Sequence, residues 1–291
     1  MTDKKDDHDL AGRKFYRAQE EAKFSDDTPD KTPQNSHPAY TLAFRDTDFM
    51  LRDELRPVRF QLELLKPEML LDEAGVGSTL VMYGSARIPS PEKADELVAN
   101  AAPEKKAVAE RLAAKAKYYQ VAYDLAKMVS EKAIIEEGQR QFVVCSGGGP
   151  SIMEAANRGA SDAGSESIGL NIILPHEQAP NAYVTPYLSL NFHYFALRKM
   201  HFLLRARAVA VFPGGFGTFD EFFELLTLIQ TGKMKPIPIM LFGKDFWTKV
   251  VDLEALADEG TINHDDLKLF HWCESADDAW GHIADFYDLD R

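Results

Sequence analysis

The chain has 291 residues, of which 45% are hydrophobic, and a formal net charge of -13. That is enough apolar material for one large domain with extensions, but the acidic balance excludes a general nucleic-acid surface, which needs a broad Lys/Arg footprint. Two cysteines, Cys145 and Cys273, make no disulfide framework and fit a reducing, cytoplasmic setting.

In chain order, residues 1–40 mix charges with Ser, Pro, Asn and Gln, and are expected to be disordered or draped over a partner. The opening MTDKKDDHDL holds no apolar signal core. Residues 41–77 form a helical extension, since Phe49, Leu55, Phe60, Leu64 and Leu65 recur at helical spacing. From residue 78 to 291 apolar strands alternate with helices. STLVMYGSA is a buried strand ending in Gly84-Ser85, and a long helical stretch follows over about 104–137. QFVVCSGGG is a second strand ending in Gly147, Gly148 and Gly149; PSIMEAANRGASDAG is a helix with Pro150 in its first turn. SIGLNIILP is a third strand and YLSLNFHYF holds a short fourth. ALRKMHFLLRAR is a helix, AVAVFPGG a fifth strand, and after its glycine turn Thr218, Asp220 and Glu221 open the next helix. IPIMLFG is a sixth strand, KDFWTKVVDLEAL a helix, and a last helix spans about 275–287. No apolar run approaches the roughly 20 residues of a membrane span.

Strands without polar alternation, separated by helices, imply an α/β fold: a Rossmann-like, doubly wound, mostly parallel sheet with helices on both faces. Ligands of such sheets bind beyond the carboxyl ends of the strands, where Gly84, Gly147 and Gly214 fall.

The segment VFPGGFGTFDE concentrates the chemistry. Thr218-x-x-Glu221 has the form of a capping box, and as such would be structural. Gly214, Gly215 and Gly217 instead let backbone N–H groups approach an anion at the positive end of a helix, where Thr218 adds a hydroxyl. Neither G-x-x-x-x-G-K-[ST] nor G-x-G-x-x-G is present. Glu221, one turn further, falls where the sugar of a bound nucleoside monophosphate would lie; a carboxylate there stabilises an oxocarbenium-like centre or activates water. Arg198 converges on the same sheet edge: its helix descends about 14 Å and the next strand climbs back about 17 Å. The bland alternative is a solvated surface arginine.

Further candidates have structural counterparts of similar weight. Gly84 and Ser85 either contact the ligand or make a tight turn; Gly147, Gly148 and Gly149 point more strongly to substrate binding, since three successive glycines exceed what one turn needs. Glu154 either reaches ribose hydroxyls or is a solvated helix carboxylate. Asn171, Glu177, Gln178 and Asn181 either line the pocket or structure loops. Glu224 either shares a ligand contact or faces solvent. Phe219, Phe222 and Phe223 read as core. His193 and His201 lack a matching Cys or carboxylate cluster, so no metal site is expected; Cys145, in an apolar run, reads as inert.

PGGFGTFDE, LRKM, YGSAR and CSGGGPSIMEAANRGA, in this order over about residues 78–285, resemble the LONELY GUY (LOG) family of cytokinin riboside 5′-monophosphate phosphoribohydrolases, in a longer bacterial branch. The resemblance implies hydrolysis of a purine nucleoside 5′-monophosphate, a cytokinin riboside monophosphate or AMP, to free base and ribose 5-phosphate. It implies a homodimer or higher homo-oligomer and no metal or redox cofactor. Arg198 and Glu221 take the catalytic positions, with Lys199 beside them as a substrate contact; Gly214, Gly215, Gly217 and Thr218 take the phosphate loop. Glu154 stands where compact members tend to carry glycine. A carrier or sensor of the same superfamily, akin to molybdenum-cofactor carriers, is the competing reading.

Overall fold

The apolar runs of the chain form strands because each is long enough to cross a sheet and has no polar face to leave outside. In the computed structural model, which describes residues 15–27, 30–174 and 179–290, they and one further short strand form one sheet: β1 Thr79–Tyr83, β2 Val143–Ser146, β3 Ile168–Ile172, β4 Ser189–Phe192, β5 Ala206–Val211, β6 Ile239–Phe242 and β7 His271–Cys273. Their spatial order is β4-β3-β2-β1-β5-β6-β7, and every neighbouring pair is parallel. Leu80 sits opposite Val144 on one side and Ala208 on the other. The fold is the expected α/β, Rossmann-like one. After β1 the chain builds outward to β4, then returns to the other side of β1 for β5, so a crevice opens at the carboxyl ends of β1 and β5.

Helices cover both faces. α1 Arg56–Glu73 precedes the sheet; α2 Ala116–Glu131, α3 Ile152–Asp162, α4 Phe195–Leu204, α5 Phe216–Gln230 and α6 Ala276–Tyr287 are the principal helices after it. On one face Leu80, Met82 and Val144 of the sheet meet Tyr119, Ala122, Leu125, Ile152, Ala156, Trp280 and Ile283, all buried. On the other face the Tyr83 ring meets Phe202 of α4 edge-on at 5.1 Å. Full burial of each large apolar side chain contributes about 2 kcal/mol.

The chain divides into two compact units after Gln61. In the first, helix Ala18–Asp26 is joined to the turn Ala43–Arg45 by Arg45, whose Nη1 lies 2.8 Å from Asp26 Oδ1. None of its described residues is buried. Residues 1–14 and 28–29 of the expected arm lie outside the described residues. The second unit takes in most of α1, ahead of the boundary that composition places at 77, because α1 is bonded to the rest of that unit. The Glu63 carboxylate accepts the N–H groups of His193 and Tyr194 at the start of α4, and Glu68 and Asp72 pair with Arg205 at its end, at 2.9 and 2.7 Å.

Two expectations need correction. The stretch 104–137 is not one long helix: Lys106–Ala113 and Ala116–Glu131 are separate, and the segment 135–140 returns as a small antiparallel hairpin. KDFWTKVVDLEAL is likewise two helices, Lys244–Val250 and Leu253–Asp258. β7, an edge strand of three residues, has no signal in the pattern of apolar runs.

Candidate functional site

β5 ends in Val211, and Phe212 and Pro213 lead into the glycine turn. α5 starts at Phe216 with Gly215 as its extended N-cap. The helix therefore starts three residues earlier than a capping box at Thr218 requires. Thr218 is its third residue, buried, and no side chain caps the end. The structural explanation of Glu221 as the reciprocal member of a box is overturned. The backbone N–H groups of Phe216, Gly217 and Thr218 belong to the first turn, which has no intrahelical acceptors. Glycine is required at 214, where a Cβ would come within 2.1 Å of Thr218 Oγ1; at 215 and 217 a Cβ would meet no protein atom, so that side of the turn is open.

Glu221 lies on the next turn, with its side chain 14% exposed, and faces Arg198 across 3.7 Å between Oε1 and Nη1. Arg198 is held from several directions. Its Nε donates to the Leu170 carbonyl at 2.7 Å, and its guanidinium lies 5.0 Å from the centre of the Phe202 ring. A Cβ at Gly147 would come within 2.6 Å of Nη2, so the second glycine turn makes room for the arginine. Burial pushes the Glu221 carboxyl up to about 7; Arg198 pulls against it, and Asp220 adds to the rise. Burial, with Glu221 next, also pushes the Tyr83 hydroxyl up.

These groups open into a cavity of about 730 Å³ at the carboxyl end of the sheet, lined by Gly84, Ser85, Arg198, Gly215, Gly217, Thr218 and Glu221. The turns around it are sewn together: the Ser85 N–H donates to the Pro213 carbonyl at 3.1 Å, and the Ile152 N–H to that of Ser85 at 3.4 Å. Ser151, before α3, has φ of 67°, a left-handed conformation that L side chains adopt at a cost, and its hydroxyl donates to the Ile88 carbonyl.

Other sequence candidates stand outside the cavity lining. Lys199 points to two carboxylates, 2.9 Å from Asp220 Oδ1 and 3.2 Å from Glu224 Oε2. Glu154 accepts the Tyr119 O–H at 3.1 Å. The carbonyls of Gly148 and Gly149 accept the amide of Asn181, and Asn171 bonds the Gly169 and Leu190 carbonyls; both asparagines structure loops. Glu177 and Gln178 lie outside the described residues. Phe219 and Phe222 pack on Trp247, at 5.0 and 5.5 Å.

Three contributors escaped the pattern of the sequence. Arg87, inside YGSAR, and Phe216, 95% exposed, both line the cavity. Glu63 orients the start of α4 and so Arg198, from a distance along the chain that no local motif covers.

Residues 153–283 match the family described as "Possible lysine decarboxylase". The matched span, similar to the LOG family, runs from α3 into α6 and includes Arg198, the glycine turn and Glu221. Among solved structures, the X-ray structure of the structural-genomics target TM1055 has 20% identity and a TM-score of 0.43, covering 72% of this chain and 99% of that one. A molybdenum cofactor carrier protein from Chlamydomonas reinhardtii has 17% identity and a TM-score of 0.42, covering 72% and 98%. No curated protein matches the chain. No helix among the described residues is long and apolar enough to cross a membrane.

Proposed function

We propose that this protein hydrolyses the N-glycosidic bond of a purine nucleoside 5′-monophosphate, a cytokinin riboside monophosphate or AMP, giving free base and ribose 5-phosphate. The observation that carries this is the pairing of Glu221, lifted to about 7, with Arg198 in a cavity whose other wall is the glycine-rich start of α5. The 5′-phosphate is held by the N–H groups of the first turn of α5, aided by the helix dipole. The ribose then lies toward Glu221. As the bond from C1′ to the base nitrogen breaks, its electron pair leaves with the base and positive charge develops at C1′. The Glu221 carboxylate stabilises that charge and takes a proton from the water whose oxygen bonds to C1′. The departing base takes a proton from solvent. Arg198 holds the carboxylate in place and favours its ionised form.

The test is incubation with a panel of purine and pyrimidine monophosphates, isopentenyladenine riboside monophosphate among them, scoring released base, with the matching nucleosides alongside. The monophosphate is expected to react and the nucleoside not. Equal turnover of AMP and adenosine would remove the role given to the glycine turn. Tight binding with no base released from any monophosphate would instead support a carrier.

A further inference from the structure

At the other end of the sheet from β4, the last strand and the last helix bring together a second group of chemistry-bearing side chains. His271 and Cys273 alternate with Trp272 on β7, so they share a face of the strand. Asp278 and His282 are four residues apart on α6 and share a face of the helix. A short turn, in which Ser275 caps α6 through the Asp278 N–H, folds the helix back beside the strand. Ligand atoms of Cys273, Asp278 and His282 consequently all lie within 4.8 Å of one another. His282 Nε2 is 3.7 Å from Asp278 Oδ1. The His271 ring stacks on the His282 ring at 4.2 Å between centres, tilted by 22°, which fixes its orientation.

We infer that Cys273, Asp278 and His282 form a binding site for a borderline-soft divalent cation of the zinc type, with water in the remaining position. Tetrahedral zinc with one sulfur, one nitrogen and one oxygen ligand places those atoms about 3–4 Å apart, so the side chains need close by only about 1 Å. The mixed set disfavours calcium and magnesium, which take oxygen ligands. Cys273 is completely buried, whereas the side chains of His282 and Asp278 are 35% and 45% exposed. The thiol therefore forms the floor of the site, and the ion has a path from solvent past the other two. Burial, helped by Asp278, pushes the thiol up, and burial with the neighbouring His282 pulls His271 down. Binding replaces the thiol proton, which leaves to water as the ion takes the thiolate. No metal was expected from the sequence, where His193 and His201 drew attention; His201 is instead buried against α1, its Nε2 3.0 Å from the Glu63 carbonyl. The site is separate from the cavity of the proposed activity, so each stands or fails by itself.

The test uses the full chain, free of tags and treated with chelator, titrated with cobalt(II) as a spectroscopic stand-in and with zinc(II) in competition. A thiolate-to-cobalt charge-transfer band saturating at one equivalent, and bleached by zinc, is the expected result. Cys273→Ala should abolish the band. His282→Ala, a change at a partly exposed position that leaves the buried thiol in place, should weaken cobalt binding by about 10-fold or more. Zinc should raise the melting temperature of the wild type and not of either variant. No charge-transfer band in the wild type, a band surviving Cys273→Ala, or unchanged affinity in His282→Ala would overturn the assignment.

Discussion

At Glu221, burial and charge pull in opposite directions. Burial favours the neutral carboxyl, Arg198 at 3.7 Å favours the carboxylate, and the outcome is a group titrating at about 7. An acid–base group is most effective near the working pH. Because the expected capping box is absent, Glu221→Gln deletes no cap. It should fold, still bind monophosphate, and lose turnover by about 10² or more, the range of a missing acid–base group. For wild type, kcat/KM should rise with pH through about 7, since the carboxylate is the working form; the substrate phosphate titrates lower, at about 6. The stability consequence has a definite sign. A carboxyl raised in the folded state stabilises below its ordinary value of 4.5, and that contribution is lost as pH rises through about 7. Between about pH 5 and about pH 8 the melting temperature of Glu221→Gln should therefore gain several degrees relative to wild type. A constant difference across that range would show that Glu221 titrates normally.

The glycine turns carry the element scale. Gly147 faces the guanidinium of Arg198, and what a Cβ would strike there is the far end of a flexible side chain, 2.6 Å away. Gly147→Ala should therefore leave the melting temperature within a few degrees of wild type while displacing the arginine. A displacement of order 1 Å costs up to about 10² in rate, so turnover should fall at least tenfold, read by steady-state base release. Wild-type turnover in this variant would show that the position of Arg198 does not matter. The glycines themselves were legible in the sequence, because three strands end in them. The start of α5 was not. Thr218 and Glu221 have the spacing of a capping box, but Gly215 in an extended conformation begins the helix earlier and turns Thr218 inward. Nor was the break after Ala113, because Lys106–Ala113 and Ala116–Glu131 are both helical and apolar periodicity runs through the join.

For the whole molecule, a net charge of -13 sets the background against which an anionic substrate is bound. Attraction then comes locally, from Arg87, Arg198 and the start of α5 around one cavity. The proposed homodimer or higher oligomer belongs to this scale as well: light scattering of active protein should give at least twice the chain mass, and a fully active monomer would refute it. The parallel α/β sheet could be read from the chain alone, because unbroken apolar runs alternating with helices have few ways to bury both faces. The glycine turns, and the convergence of Arg198 and Glu221 on one sheet edge, followed from the same pattern, since a strand and the helix before it return to a common edge. Long-range partners could not be read in this way. Glu63 binding the start of α4, Lys199 turning to Asp220 and Glu224, and β7 joining the sheet beside α6 all depend on which elements become neighbours. The rise of Glu221 to about 7 has the same origin: desolvation is produced by everything packed around a group, and no window of sequence contains that surrounding.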